Sequence, residues 1–167
     1  TDGLSADEAA ERYDAGLDSS GTVCINGIVV EDQDTATSVA DDLAGDGDFT
    51  ALLEAENLDP SLGEAGGDVG CLTSDQIAEA GDVPFVEVAA SLTADNSVAT
   101  SALFDQLGNE FAWVVLQFRT FDELSPADAD VVTATLDTAA QLADADVYVS
   151  PRYGTFDATS GQVVPLG

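Results

Sequence analysis

Val23-Cys24-Ile25-Asn26-Gly27-Ile28-Val29-Val30 is the segment around which the rest of the chain can be arranged. Five of its eight residues are Val or Ile, which are enriched in strands. Gly21-Thr22 precedes the segment and Glu31-Asp32-Gln33-Asp34 follows it, so polar residues bound it at both ends. The pattern predicts a central strand that is buried on at least one face.

Helical and strand patterns alternate along the rest of the chain. Capping residues and apolar residues at helical spacing predict helices over 5–16, 34–44, 48 onward, 74–80, 84 onward and 126–143. Strands are predicted over 67–72, 97–104, 111–119 and 147–149, and residues 57–66 are predicted to form a loop. The order indicates an α+β fold that ends in a helix-strand arm.

The charge balance is strongly acidic. The 167 residues include 33 Asp and Glu but only 3 Arg, with no Lys and no His, and the net charge is -30. Nucleic acid and anionic membrane surfaces are excluded as partners, because both would require cations. The acidity is interpreted first as a solvated surface that keeps the chain soluble, and alternatively as a means of capturing basic clients.

Cys24 and Cys71 both lie in apolar, strand-like patterns without other soft metal ligands nearby in the sequence. The residues alone leave open one disulfide or two buried thiols. No zinc site is expected, no acidic segment has EF-hand spacing, and we predict neither a metal nor a cofactor.

The ends and the apolar runs of the chain bear on its cellular context. No apolar run approaches the roughly 20 residues that span a bilayer, so no membrane insertion is predicted for this segment. The sequence begins without Met and without a signal-like apolar core. It is therefore expected to be part of a longer, processed protein.

Four motifs coincide with those of a known family. Gly27-Ile28-Val29-Val30 stands where the family has His-Ile-Leu-Val, and residues 45–52 stand where it has Gly-x-Asp-Phe-x-x-Leu. Gly66-Gly67-Asp68-Val69-Gly70 matches Gly-Gly-Asp-Leu-Gly, and the segment from Pro84 matches Pro-Phe-x-x-Ala. Residues 22–119 thus resemble a parvulin-type peptidyl-prolyl isomerase domain. The resemblance implies a parvulin-like antiparallel sheet flanked by helices.

The C-terminal arm contains Val149-Ser150-Pro151-Arg152-Tyr153-Gly154-Thr155-Phe156-Asp157. With this segment, the arm resembles the tail of SurA-type exported foldases from actinobacterial cell envelopes, which are related to PrsA. We therefore predict an N-terminal helix and linker (1–21), a parvulin-like domain (22–120) and a SurA-type helix-strand arm (121–167). The resemblance implies an extracytoplasmic location, and it favours a disulfide between Cys24 and Cys71. The predicted strand over 147–149 is expected to pair with a missing N-terminal region or with a second chain.

Parvulins pair two histidines on adjacent strands with a Cys or Asp that faces the substrate carbonyl. By resemblance, Gly27 occupies the first histidine position, and the second falls at Trp113 or Ala112. Asp59 is the candidate catalytic residue. The predicted substrate-binding residues are Gly27, Leu72, Phe85, Phe104 and Trp113. The alternatives are turn chemistry for Asp59 and core packing for the apolar side chains.

Three functional hypotheses follow from these residues. The first is a client-binding foldase domain that binds unfolded or proline-containing polypeptides, with isomerase activity weak or lost because both histidines are absent. The second is an active isomerase that works through an apolar proline pocket. The third is an acidic interaction domain that binds basic segments of a partner.

Overall fold

The computed structural model describes residues 4–144, 155–157 and 162–164, and the centre of the protein is a four-stranded antiparallel sheet. Its strands lie in the order β2-β1-β4-β3. They are β1 (Thr22–Val30), β2 (Asp68–Thr73), β3 (Val98–Phe104) and β4 (Glu110–Phe118). Two further strands, β5 (Thr155–Asp157) and β6 (Gln162–Val164), pair with each other. The predicted α+β fold with an antiparallel sheet is confirmed, and β1 lies in the interior of that sheet.

The described residues form eight α-helices and one short 3-10 helix, Phe121–Glu123. The α-helices are α1 (Ala6–Asp14), α2 (Leu17–Ser20), α3 (Gln33–Ala44), α4 (Phe49–Glu56), α5 (Pro60–Glu64), α6 (Ser74–Ala80), α7 (Pro84–Ala90) and α8 (Pro126–Asp144). Local caps fix several of their starts. Ser5 and Glu8 form the predicted capping box of α1, and Asp48 accepts a hydrogen bond from the Ala51 amide at the start of α4.

The prediction that residues 57–66 form only a loop is wrong, because the structure places α5 within this segment. Asp59 is the N-cap of this helix and Pro60 occupies its first turn. Proline is suited to that position, since its fixed φ is already helical and its missing amide would have no helical partner there. Glycine and proline in this segment therefore bound a short helix instead of excluding one.

Two apolar clusters lie on opposite faces of the sheet, because side chains alternate along each strand. Leu116 and Phe118 of β4 belong to the cluster that includes buried residues of α1, α7 and α8. Val115, which directly precedes Leu116, belongs to the second cluster with residues of α3 and α4. Helices thus cover both faces of β1 and β4.

The N-terminal helix and the C-terminal helix pack against the same core as the sheet. Tyr13 of α1 and both Val132 and Leu136 of α8 are buried in the first cluster. The Leu4 amide also donates a 2.8 Å hydrogen bond to Asp137 Oδ1, which joins the segment just before α1 to α8. The division at residues 21 and 120 stays a prediction. The strand predicted over 147–149, with its pairing, lies outside the described residues.

Among the described residues, no helix has both the length and the apolar character required to cross a bilayer. The same part of the chain holds no cluster of three or more His, Cys, Asp or Glu side chains suited to a metal ion.

Candidate functional site

Gly27 lies in the middle of the sheet, and the space above it is filled. A Cβ atom added there would lie 2.9 Å from Val69 Cγ2, 3.5 Å from Val114 Cγ2 and 3.6 Å from Leu62 Cδ2. The first of these distances is closer than carbon atoms approach in van der Waals contact. The position that the family resemblance assigns to the first histidine is therefore closed by three apolar side chains. We call these three residues the apolar cover.

Asp59 holds one member of this cover in place. Its Oδ1 accepts hydrogen bonds from the Ser61 amide at 2.9 Å and from the Leu62 amide at 3.2 Å. Both donors would otherwise be unsatisfied groups at the start of α5. The predicted catalytic carboxylate thus serves as a helix cap, as the turn-chemistry alternative proposed, and the capped helix carries Leu62 to Gly27. A catalytic role for Asp59 stays a prediction.

The segment before Asp59 is hydrogen-bonded to the C-terminal half of β1, from Gly27 to Val30. The Val29 amide donates to Asn57 Oδ1 at 3.1 Å, and the Leu58 amide donates to the Val29 carbonyl at 2.8 Å. The Gly27 amide donates to the Gly67 carbonyl at 2.7 Å. Beyond the end of its pairing with β2, β1 is therefore bordered by these loop segments, which bring α5 beside Gly27.

The structure does not bring Trp113 together with Gly27. Trp113 is opposite Val30 in the β1/β4 register and packs with the second apolar cluster, while its Nε1 donates to Glu110 Oε1 at 3.0 Å. Val114 is next in sequence and projects from the other face of the sheet, where it reaches Gly27. Val114, on the same face as Leu116 directly opposite Gly27, is therefore the β4 side chain that comes nearest to an added Cβ. The alternative position, Ala112, is on the same face as Val114 but two residues further from Gly27 along the strand.

The other predicted pocket residues do not converge on Gly27. Phe85 and Leu72 are partly buried against the first cluster, which agrees with core packing. Leu72 is opposite Val23, four residues from Gly27 along β1, and this separation corresponds to about 13 Å. Phe104 is at the far end of β3, where 47% of its surface is exposed. Substrate-binding roles for these residues stay predictions.

Asp68 of the Gly-Gly-Asp motif has a structural role. Its Oδ1 accepts a 2.8 Å hydrogen bond from the Gly70 amide and lies 3.1 Å from Arg119 Nη2. Arg119 is almost fully buried, and its Nη1 lies 3.5 Å from Asp128 Oδ2. This arginine therefore links β2 to α8 from the end of β4. Within the described residues its Nε has no hydrogen-bond partner.

Cys24 and Cys71 form the disulfide that the family resemblance favoured. They are directly opposite each other in the β1/β2 register. The Cys24 amide donates to the Tyr13 hydroxyl at 3.0 Å, and the Cys24 carbonyl accepts from the Arg119 amide at 3.0 Å. Both backbone groups of Cys24 thus point away from β2. This makes Cys24 and Cys71 a non-hydrogen-bonded pair, in which side chains of adjacent strands approach most closely.

Tyr13 packs beside the N-terminal half of β1. Its ring stacks on Phe118 with centroids 5.1 Å apart, and it contacts Phe121 edge-on at 6.0 Å. Burial raises the pKa of Tyr13 to about 12, because ionisation would place a charge in the core. The hydroxyl therefore stays neutral at ordinary pH while it accepts the hydrogen bond from the Cys24 amide.

The prediction missed all three residues of the apolar cover. Val114 could have been found by counting alternate residues along β4, once its register with β1 was known. Leu62 and Val69 carry no local signal, because their contacts with Gly27 depend on how residues 57–70 fold back over β1.

Comparison with known proteins gives structural matches only. No family model matches the chain, and no curated protein matches it. Among solved structures, the chain is similar to Pin from the psychrophilic archaeon Cenarcheaum symbiosum, with 18% identity, a TM-score of 0.43, and coverage of 60% of this chain and 93% of that one. It is likewise similar to the parvulin of Nitrosopumilus maritimus, with 19% identity, a TM-score of 0.43, and coverage of 59% and 96%.

A longer match is PrsA from Bacillus subtilis, with 22% identity, a TM-score of 0.44, and coverage of 86% of this chain and 56% of that one. The chain thus spans about half the length of that protein. These three solved structures are those of a Pin protein, a parvulin and PrsA.

Proposed function

We propose that this chain is a parvulin-fold domain of an extracytoplasmic foldase that binds unfolded or proline-containing polypeptides, with isomerase activity weak or lost. The observation that carries the proposal is the apolar cover over Gly27 in a chain without histidine. At this position the family resemblance implies a polar group facing the substrate, and here only hydrocarbon is present.

The loss of activity is supported by the chemistry of the reaction. Rotation about an X-Pro bond has a barrier of about 18–20 kcal/mol, and an enzyme must bind the twisted amide more tightly than the planar one. Leu62, Val69 and Val114 have no hydrogen-bonding group to offer a twisted amide. The nearby carboxylate of Asp59 is engaged by two backbone amides.

Client binding is supported by exposed apolar residues on the β3/β4 hairpin. The exposed fractions of Phe104, Leu107 and Phe111 are 47%, 87% and 62%. We call these three residues the hairpin tip. Large apolar side chains grouped at the surface are typical of interaction sites. The net charge of -30 favours clients that carry Lys or Arg.

An oxidising compartment is supported by the Cys24–Cys71 disulfide. Protein isolated from its native source with thiols blocked at lysis is expected to show no alkylated cysteine before reduction and two after it. Two alkylated cysteines before reduction would contradict the extracytoplasmic assignment.

The decisive experiment measures isomerase activity and client binding on the same preparation. In a proline-limited refolding assay, catalytic amounts of the protein are expected to leave the slow phase unchanged. A permanently unfolded client is expected to bind in a pull-down and by fluorescence anisotropy. Clear acceleration of refolding would overturn the loss of activity, and absence of client binding would overturn the foldase assignment.

A matched pair of variants tests the contribution of the hairpin tip. Phe111→Ser is expected to weaken client binding, whereas Val131→Ser, at an equally exposed apolar residue of α8, is expected to leave it unchanged. Binding that collapses with added salt and ignores both variants would instead favour the acidic interaction domain.

A further inference from the structure

β3 forms one edge of the sheet, and its backbone has a regular set of outward-facing groups. The Phe118 amide donates to the Ser97 carbonyl at 2.7 Å, so Ser97 is in a hydrogen-bonded pair with β4. Such pairs alternate along an antiparallel ladder, so Ala99, Ser101 and Leu103 also bond to β4. The amides and carbonyls of Val98, Thr100 and Ala102 point outward instead.

Within the described part of the chain, these outward groups have almost no partners. The Ala102 carbonyl accepts a hydrogen bond from Ser101 Oγ at 3.2 Å. No other hydrogen bond of the described residues reaches the outward amides or carbonyls of Val98, Thr100 and Ala102. The outer edge of β3 thus has the donors and acceptors of an unfinished ladder.

The other edge strand, β2, is protected against pairing and β3 is not. β2 carries the charged Asp68, its register with β1 shifts at Ile25/Asn26, and Gly70 has a φ of 102°. Charges and bulges of this kind prevent edge-to-edge pairing. Residues 96–104 contain no charged residue and no proline. The register of β3 with β4 is regular as far as Leu103.

The charges at the ends of β3 indicate what would bind there. Asp95 precedes the strand, and Asp105 and Glu110 follow it in the hairpin, and all three are exposed. A second copy of this chain is disfavoured, because two copies of net charge -30 would repel each other. An extended segment with an apolar centre and Lys or Arg near both ends matches the edge in hydrogen bonding and in charge.

We propose that the outer edge of β3 binds such a client segment as an additional strand of the sheet. This inference rests on the proposed function, since it specifies how a client is held. The strand offers seven residues, a length of about 23 Å, and the hairpin tip lies at one end of it. Backbone hydrogen bonds would supply affinity with little dependence on the client sequence.

The first test is the pattern of amide protection in the protein. A fluorescent peptide with alternating Val and Thr at its centre and Lys at both ends serves as the probe. When it binds, hydrogen exchange measured by NMR is expected to slow at Val98, Thr100 and Ala102. Exchange at Ala99, Ser101 and Leu103 is expected to stay unchanged, because these amides already bond to β4.

The second test is a matched pair of substitutions at Thr100. Thr100→Pro removes an outward amide without removing a bond to β4, and is expected to weaken peptide binding by about tenfold or more. Thr100→Val keeps the amide and is expected to bind as the wild type does. Circular dichroism checks the fold of both variants, and if Thr100→Pro is misfolded the exchange pattern of the wild type decides.

The outcomes separate this inference from the proposed function. Client and peptide binding that ignores Thr100→Pro and leaves the exchange of the outward amides unchanged would overturn strand addition alone. Outward amides that are already protected in the free protein, or protected only on dimerisation, would assign the edge to another segment or to a second copy and would overturn it too. Failure of both the unfolded client and the peptide to bind would overturn both proposals.

Discussion

The two halves of β1 are held in different ways. The lower half, Thr22–Asn26, is tied to β2 by the Cys24–Cys71 disulfide and to α1 by the Tyr13 hydroxyl. The upper half, from Gly27 to Val30, has no covalent link, and loop segments border it where the pairing with β2 ends. Gly27, which the family resemblance aligns with the first histidine, belongs to the upper half.

The comparison shows that the paired framework of β1 and the surroundings of Gly27 are maintained by separate interactions. The lower half uses a covalent bond and buried hydrogen bonds, each of which is costly to lose. The upper half depends on van der Waals contacts of the apolar cover, which fills the space beside Gly27. The strand therefore keeps its place in the sheet while the space beside Gly27 is filled by other side chains.

The largest expected effect comes from removing the disulfide in the lower half. Its cysteines are 47 residues apart, and the chain-entropy model gives about 4 kcal/mol of stabilisation for a loop of this length. The double substitution Cys24→Ala, Cys71→Ala is expected to lower the free energy of unfolding in urea by about that amount. In reductant the wild type should become as unstable as the variant. Equal stability of the oxidised wild type and the variant would show that the disulfide does not fasten this half.

Tyr13→Phe tests the hydrogen bond at the same end of β1. The substitution leaves the buried Cys24 amide without an acceptor, at an expected cost of about 1–3 kcal/mol in chemical denaturation.

The same residue predicts a pH dependence. The pKa of Tyr13 is about 12 in the folded protein and about 10 in an unfolded chain. Because the pKa is higher in the folded protein, the contribution of neutral Tyr13 to the free energy of unfolding is complete below pH ~10. It is lost as the pH rises towards 12. Tyr13→Phe should remove this part of the decline in stability. An unchanged profile in the variant would mean that Tyr13 ionises freely.

Gly27→Ala tests the apolar cover in the upper half. The new methyl group meets Val69 Cγ2, so a loss of about 1 kcal/mol in the free energy of unfolding is expected. In a Val69→Ala background the loss should be smaller, and a double-mutant cycle measures the coupling. Gly45→Ala is the matched control, since its Cβ meets no atom closer than 3.4 Å. A cost that Val69→Ala does not relieve would place the obstruction elsewhere.

The smallest effect is expected at the cap that positions Leu62. Asp59→Ala removes the acceptor of two amides of a short, exposed helix, at a cost of about 0.5 kcal/mol, whereas Asp59→Asn keeps a good capping residue. Thermal unfolding of the two variants measures the difference. If both variants are as stable as the wild type, the cap does not hold the cover in place.

Most of the secondary structure could be predicted because its signals are local. Ser5 with Glu8 and Asp48 start the helices that their side chains cap. The residues of β1 predicted a buried strand by composition alone. Asp59 shows the limit of such reasoning, since the same residue type before proline fits a turn, a helix cap or a catalytic carboxylate, and only the structure shows that it caps α5.

The candidate site was predicted less well, because it depends on register. A shift of one residue along β4 exchanges Trp113 for Val114 and moves the side chain to the opposite face of the sheet. The sequence contains no mark of that register. Only the folded structure defines the register, in which Gly27 is opposite Leu116.

By itself, the sequence determined that β1 is a strand, that no histidine can act anywhere in the chain, and that the protein is strongly acidic. These properties follow from the residues present, whatever their arrangement. The tertiary structure alone decided that Leu62, Val69 and Val114 meet at Gly27, and that Asp68 and Asp128 share Arg119. The physical reason is that these contacts join residues far apart in the chain, and only the folded backbone brings their side chains within van der Waals or hydrogen-bonding distance.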